Sequence, residues 1–204
     1  MVERQLRRRG IADARVLDAM GTVPRELFVP ERSRSHAYRD GALAIGHEQT
    51  ISQPWIVAAI CEALRLEGPE TVLEVGTGSG YSACVLALLA AEVVTIERVP
   101  ELATSARERI AELGYPNVEV VEGDGSAGLP DRGPFDAVAV HAAAPGPPVG
   151  LIRQLRLGGR LVVPVAEGGT DMLTAFERLD DGESVRARTI GPCRFVPLIG
   201  SEGF

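Results

Sequence analysis

Lysine is absent from this chain. All 21 basic residues among its 204 are arginine, which removes Schiff-base catalysis, pyridoxal-phosphate enzymes and the lysine-dependent phosphate loop. Cysteine is scarce. Cys61, Cys84 and Cys193 are odd in number, far apart and without a C-x-x-C pair. Neither a disulfide framework nor a structural zinc site is expected, and reduced thiols in a cytoplasm fit best. His36, His47 and His141 offer no metal-ligand spacing, so no metal is expected. Long apolar runs are missing too: Ala83 to Ala91 is about half the ~20 residues a membrane span needs. The arginines of the N-terminus have no apolar stretch behind them, which argues against a secretory signal and a membrane partner. Positive charge is in deficit, with 28 acids against 21 bases and a net charge of −7. A nucleic-acid partner needs a basic face and is not expected. What remains, 45 % hydrophobic and 24 % charged residues, is the composition of one soluble domain with a real core, expected as a monomer.

The pattern divides the chain into three zones. Residues 1–53 hold short helical patterns (Val2 and Leu6, then Val16, Leu17 and Met20) with Asp13 as an N-cap. Arg7-Arg8-Arg9 reads as a solvated face. Tyr38 to Pro54 carries little periodicity and reads as a loop, functional or merely connecting. Residues 54–165 are regular. Pro54 opens a helix to Leu64, with Ser52 or Gln53 near its cap. Thr71 to Val75, Glu92 to Glu97, Asn117 to Val121, Phe135 to Val140 and Gly159 to Val165 read as strands. Tyr81 to Ala90, Pro100 to Gly114 and Leu151 to Leu155 read as helices. Strands alternating with helices predict a doubly wound, Rossmann-like α/β domain, its mostly parallel sheet covered on both faces. Residues 166–204 alternate well enough for antiparallel strands at Met172 to Arg178 and Ser184 to Ile190, joined at Asp180-Asp181-Gly182, with a third apolar stretch at Phe195 to Ile199.

Glu74-Val75-Gly76-Thr77-Gly78-Ser79-Gly80 lies between the first sheet strand and its helix. Glycines there tolerate positive φ and let backbone approach a ligand, while a helix N-terminus offers free N–H donors. Glu97 ends the next strand, where an acid can accept both hydroxyls of a ribose. Glu74 is expected at the strand tip facing the same crevice. A dinucleotide wants G-x-G-x-x-G and brings a diphosphate that Glu74 would repel; S-adenosylmethionine brings positive charge, which acidic strand tips suit. Spacing and electrostatics favour S-adenosylmethionine over a nicotinamide cofactor. After the third sheet strand, Asp124 can accept from an adenine amino group, and Gly125 leaves room for the ring.

The chain resembles the protein-L-isoaspartate O-methyltransferases over nearly all of its length. The resemblance rests on Met1-Val2-Glu3-Arg4-Gln5-Leu6, on Val23-Pro24-Arg25-Glu26-Leu27-Phe28-Val29-Pro30, and above all on Ile45-Gly46-His47-Glu48-Gln49-Thr50-Ile51-Ser52-Gln53-Pro54. Gly158-Gly159-Arg160-Leu161-Val162-Val163-Pro164-Val165 and Arg194-Phe195-Val196-Pro197-Leu198 add to it. It implies an active-site serine at Ser52, within a Thr50, Ile51, Ser52 and Gln53 segment that touches cofactor and acceptor. It implies a cofactor loop of Glu74, Gly76, Gly78 and Gly80, a ribose contact at Glu97 with Arg98 beside it, and an adenine contact at Asp124 and Gly125. Glu48 departs from the family, whose members often have glycine there. So do Trp55, at a variable position, and Cys193, which interrupts an apolar approach.

The implied reaction moves a methyl group from S-adenosylmethionine to the free α-carboxylate of an isoaspartyl residue in a damaged protein or peptide. The ester then collapses to a succinimide that hydrolyses partly to normal aspartate. A carboxylate is ionised near neutral pH and needs no strong base, so a chain without lysine can do this by alignment. Ser52 would orient the carboxylate, or merely cap the helix after it. Another carboxylate acceptor on the same scaffold remains open, as does a chain that binds the cofactor without catalysis.

Overall fold

The computed structural model describes residues 1–204. Val2–Leu6 forms a wide helical turn and Arg7–Arg9 a tighter one. Helix α1 (Ala14–Thr22) is capped as expected: the Asp13 side chain accepts from the N–H groups of Arg15 and Val16, an interaction worth ~1 kcal/mol. Val16, Leu17 and Met20 are buried.

Two short 3₁₀ turns, Arg25–Phe28 and Glu31–His36, lead into strands β1 (Leu43–Gly46) and β2 (Gln49–Ile51). This hairpin replaces part of the loop expected between Tyr38 and Pro54. Gly46 pairs with Gln49, so the turn is His47-Glu48, at φ +50° and +59°. Such mirror-image turns are normally signalled by Asn-Gly or Asp-Gly. Two residues with ordinary side chains hide it.

The remaining elements are α2 (Pro54–Leu64), β3 (Thr71–Val75), α3 (Tyr81–Ala87), β4 (Glu92–Glu97), α4 (Pro100–Glu112), β5 (Val118–Glu122), β6 (Phe135–Val140), α5 (Val149–Arg153), β7 (Leu155–Glu167), β8 (Thr170–Arg178) and β9 (Val185–Cys193). They form the doubly wound α/β sheet expected, in the order β5-β4-β3-β6-β7-β8-β9. The first five strands are parallel, and β8 runs antiparallel to both β7 and β9. Helix α3 ends at Ala87, short of Ala90, and β7 begins at Leu155, before Gly159. The stretch Phe195 to Ile199 is not a strand of this sheet; only an isolated bridge ties Pro197 to Ala143. No helix is long and apolar enough to cross a membrane.

Side chains alternate between the faces of the sheet, as a period of two requires. Val72, Val93, Ala137 and Val162 join a core of 38 buried residues with α1 to α4. Leu73, Val75, Val138, Val140 and Leu161 join a core of 15 that includes Leu151 and Ile152 of α5. The strand order reverses at β3: β4 lies on one side and β6 on the other. Ligands of open parallel sheets bind outside the carboxyl ends of strands at such a reversal.

Candidate active site

Backbone hydrogen bonds sew the loops together at that reversal. The Gly76 N–H donates to the Ile96 carbonyl at 2.9 Å, the His141 N–H to Val75 at 2.8 Å and the Gly123 N–H to Glu97 at 2.9 Å. They bound a crevice of about 330 Å³ that is walled by Thr50, Ile51, Ser52, Gly76, Gly78, Glu97, Arg98 and Gly125. Eight of the twelve residues expected at the site therefore meet in one place.

Glu97 is 5 % exposed, and its orientation is set by backbone. Oε2 accepts from the Gly78 N–H at 2.8 Å and Oε1 from the Val99 N–H at 3.0 Å. Each carboxylate oxygen keeps acceptor capacity for a ligand hydroxyl. Gly76, at φ +93°, turns the chain past His141, whose Cβ would lie 3.4 Å from any added Cβ. Gly125 is glycine for packing: a Cβ there would meet Ile96 Cγ2 at 2.7 Å and Val75 Cγ1 at 2.8 Å.

Four expected residues lie elsewhere. Glu74 does not face the crevice. It is fully buried, because alternation along β3 sends it to the same face as Val72. Its register partner is Thr95, whose hydroxyl donates to Glu74 Oε2 at 2.5 Å and accepts from Thr77 at 2.6 Å. Oε1 lies 3.2 Å from His141 Nε2, an ion-pair distance without hydrogen-bond geometry. His141 Nε2 is also 2.9 Å from Ser82 Oγ. Burial first, and then the Glu74 charge, raise the pKa of the Cys84 thiol to about 12, so that thiol is inert.

Gly80 lies outside the wall. It sits at the N-cap of α3, where a Cβ would press on Ile110 of α4 at 3.1 Å. Gln53 turns away from the crevice and donates to Asp40 at 2.6 Å. Asp124 is engaged by the C-terminus: Oδ1 accepts from the Ser126 N–H at 2.8 Å and Oδ2 from the Ser201 N–H at 2.7 Å. The desolvation this exposed carboxylate undergoes works against its charge, but these donors outweigh it and hold its pKa at about 2.

Ser52 has no capping role. The N-cap of α2 is Gln53, without a side-chain cap. The Ser52 hydroxyl makes no bond within the protein; only its carbonyl is used, accepting from Arg25 Nη2 at 2.7 Å.

The wall also contains residues that motif reading did not assign. Phe195, Val196, Leu198 and Ile199 close one side. They are held where Ala143 N–H donates to Val196 and Leu198 N–H to Ala143, both at 2.8 Å. His141, Tyr81 and Ser82 complete the floor. The Arg194-Phe195-Val196-Pro197-Leu198 run is the available signal, but an apolar stretch does not by itself show which wall it forms.

The family model of protein-L-isoaspartate(D-aspartate) O-methyltransferases matches residues 1–203. A protein-L-isoaspartate O-methyltransferase 2 of Marinobacter nauticus is 54 % identical, over the whole of this chain and 93 % of its own. One of Myxococcus xanthus is 51 % identical over 96 % of this chain and 93 % of its own. A solved protein-L-isoaspartate O-methyltransferase superposes with a TM-score of 0.84 at 28 % identity, over 99 % of this chain and 67 % of that one. A Plasmodium falciparum structure described as such an enzyme in complex with S-adenosyl-L-homocysteine gives 0.82 at 26 %, over 97 % and 96 %. The chain therefore belongs to the protein-L-isoaspartate O-methyltransferase family, S-adenosylmethionine-dependent enzymes that methylate isoaspartyl residues in protein repair.

Proposed function

We propose that this crevice performs the family's methyl transfer with Ser52 on the acceptor side and Glu97 on the cofactor side. The observation that carries the assignment is their meeting in one crevice: a serine hydroxyl with no partner of its own and a carboxylate aimed by two backbone amides. When bound, S-adenosylmethionine supplies an activated methyl group on a positively charged sulfur. The chain's residues fit it: Glu97 offers acceptors for a ribose, Gly76 and Gly78 allow close backbone approach, and the absence of a side chain at Gly125 leaves an apolar floor of Ile96 and Val75. Thr50 and Ile51 carry the segment between the two subsites.

The acceptor α-carboxylate is ionised at neutral pH because its pKa lies near ~3.5. No residue has to remove a proton from it. Ser52 donates a hydrogen bond that fixes which oxygen points at the methyl group, and the apolar wall of Phe195, Val196 and Leu198 limits water. Alignment of the reacting atoms is the chain's main contribution. The crevice is complete within one chain, which supports a monomer. Its three unpaired thiols suit a reducing cytoplasm.

Transfer of labelled methyl from S-adenosylmethionine to an isoaspartyl peptide, with the normal aspartyl peptide as control, tests the reading. Only the isoaspartyl peptide becomes labelled, and the label is lost in base. Ser52→Ala lowers kcat/KM about 10- to 100-fold, the worth of one hydrogen bond to a charged group, while Tm stays within about 1 °C because no native bond is lost. An unlabelled isoaspartyl peptide overturns the acceptor; undiminished labelling by the variant overturns Ser52.

A further inference from the structure

Arg25 is the most anomalous charge in the molecule. It stands in the first short 3₁₀ turn, and none of its surface reaches solvent. Burying an unpaired cation costs several kcal/mol in real proteins. Yet Arg25 takes part in none of the seven ion pairs of the structure. Its Nε donates to the Ala37 carbonyl at 2.8 Å and its Nη2 to the Ser52 carbonyl at 2.7 Å. The guanidinium lies 4.8 Å from the Tyr81 ring centroid, which gives some compensation. Nη1 is buried and has no partner. Burial pulls the guanidinium pKa down from its usual value, although an arginine stays charged.

A neutral side chain could have filled this space, so the charge itself calls for a reason. The crevice supplies one. Its acidic groups are Glu97 in the wall and Glu48 at the rim, with Glu74 beneath the floor. Each opposes the entry of a second carboxylate. Residues 1–53, which carry Arg25 and Ser52, hold nine arginines against seven acids, in a chain whose net charge is −7. None of those nine arginines lines the crevice, where Arg98 is the one arginine of the wall; Arg25 reaches it through the Ser52 backbone.

We propose that Arg25 is a positioning residue for the acceptor: its guanidinium ties the Ser52 carbonyl to that of Ala37 over the Tyr81 ring, and its unpaired charge makes the Ser52 subsite selective for an anionic acceptor over a neutral one. This rests on the reading of the acceptor as an isoaspartyl α-carboxylate. Arg25 does not line the crevice, so its charge acts on the acceptor from behind the Ser52 backbone, across a buried interior that screens it weakly. Planarity matters as well, since one guanidinium serves two carbonyls and a ring face at once.

The test uses enzyme loaded with S-adenosylhomocysteine, titrated with a fluorescent isoaspartyl peptide and with the same peptide bearing an α-carboxamide. Wild-type protein binds the acid at least tenfold more tightly than the amide. Arg25→Gln and Arg25→Met bring that ratio below about three, within the ~10- to 100-fold range of a charge-assisted contact, while S-adenosylhomocysteine affinity changes less than twofold. Arg25→Lys keeps the ratio near its wild-type value although both peptides bind more weakly. Loosening of the loop alone would weaken acid and amide alike and leave the ratio untouched. A wild-type ratio near one overturns the proposal with no variant needed. So does an unchanged ratio in Gln or Met, or, should both fail to fold, a ratio near one in Lys. A wild-type protein that binds and methylates neither peptide fails the acceptor reading instead, and the two failures are thereby distinct.

Discussion

The two halves of the crevice are built by different means. The cofactor half hangs from the tips of β3, β4 and β6. Glu97, Gly76 and Gly78 are placed by the register of a parallel sheet and by hydrogen bonds of 2.8–3.0 Å between neighbouring loops. The acceptor half contains no strand of that sheet. It is assembled from the Arg25 turn, the β1–β2 hairpin and the C-terminal stretch after β9. Scattered long-range contacts hold it, among them Arg25 to Ser52, 27 residues apart, Phe195 to Asp171, 24 apart, and Ser201 to Asp124, 77 apart. A scaffold shared by many reactions thus keeps its cofactor on the rigid element and its acceptor on connections that can vary.

Breaking the cofactor half has the largest effect. Glu97→Ala removes the acceptors expected for a ribose and also orphans the N–H groups of Gly78 and Val99. Hydrogen bonds to a charged group are worth ~1.5–3 kcal/mol each, so S-adenosylhomocysteine affinity falls about 10²- to 10³-fold by calorimetry. A loss under threefold would mean that the loop backbone alone holds the cofactor.

Asp124→Asn probes the seam between the halves and has a smaller effect. Its folded pKa of about 2 lies below the unfolded ~3.9. The stabilisation it provides is therefore present above pH ~4 and is lost as pH falls from ~4 to ~2. The side chain is exposed to solvent, so screening limits the cost at pH 7 to about 1 kcal/mol or less. Urea unfolding at pH 7, 5 and 3 checks the sign: the gap between wild type and variant holds from 7 to 5 and narrows at 3. A gap that widens towards acid contradicts the assigned direction.

The same contrast governs what the sequence makes legible. In the sheet, β3, β4 and β6 match their expected spans residue for residue, because apolar runs between turn signals carry the information locally. The crevice glycines and Glu97 are legible for the same reason. Orientation within a strand was less so. Glu74 follows the alternation of β3 into the core, and a tip position alone does not reveal this. Gly80 and Gly125 are glycines for their packing against Ile110, Ile96 and Val75, partners visible only after folding. In the acceptor half, Ser52 is legible from its motif, whereas Arg25 belongs to a motif that carries the resemblance without assigning it a role. Only tertiary contact shows it to be buried.

The smallest effect isolates the hairpin. Glu48 holds φ at +59°, a left-handed conformation that costs a residue with a Cβ about 1–2 kcal/mol. Replacing it with glycine relieves that strain but returns part of the gain, about 0.4–1 kcal/mol, through the freer unfolded chain. The net for Glu48→Gly is a stabilisation of about 0.5 kcal/mol, or about 1–2 °C in Tm for a domain of this size. The charge acts on function separately. Glu48 lines the acceptor crevice as a side chain exposed to solvent, where a repulsion from an anionic acceptor is weak and screened by salt. The variant therefore lowers the KM for an isoaspartyl peptide by about two- to threefold at low ionic strength, with the gain fading at high salt. Glu48→Gln removes the charge and keeps the strain, so it reproduces the change in KM without the rise in Tm. A lower Tm in the glycine variant would show that the Glu48 side chain stabilises the turn. A KM unchanged in both variants would place the anionic acceptor's path away from the hairpin tip.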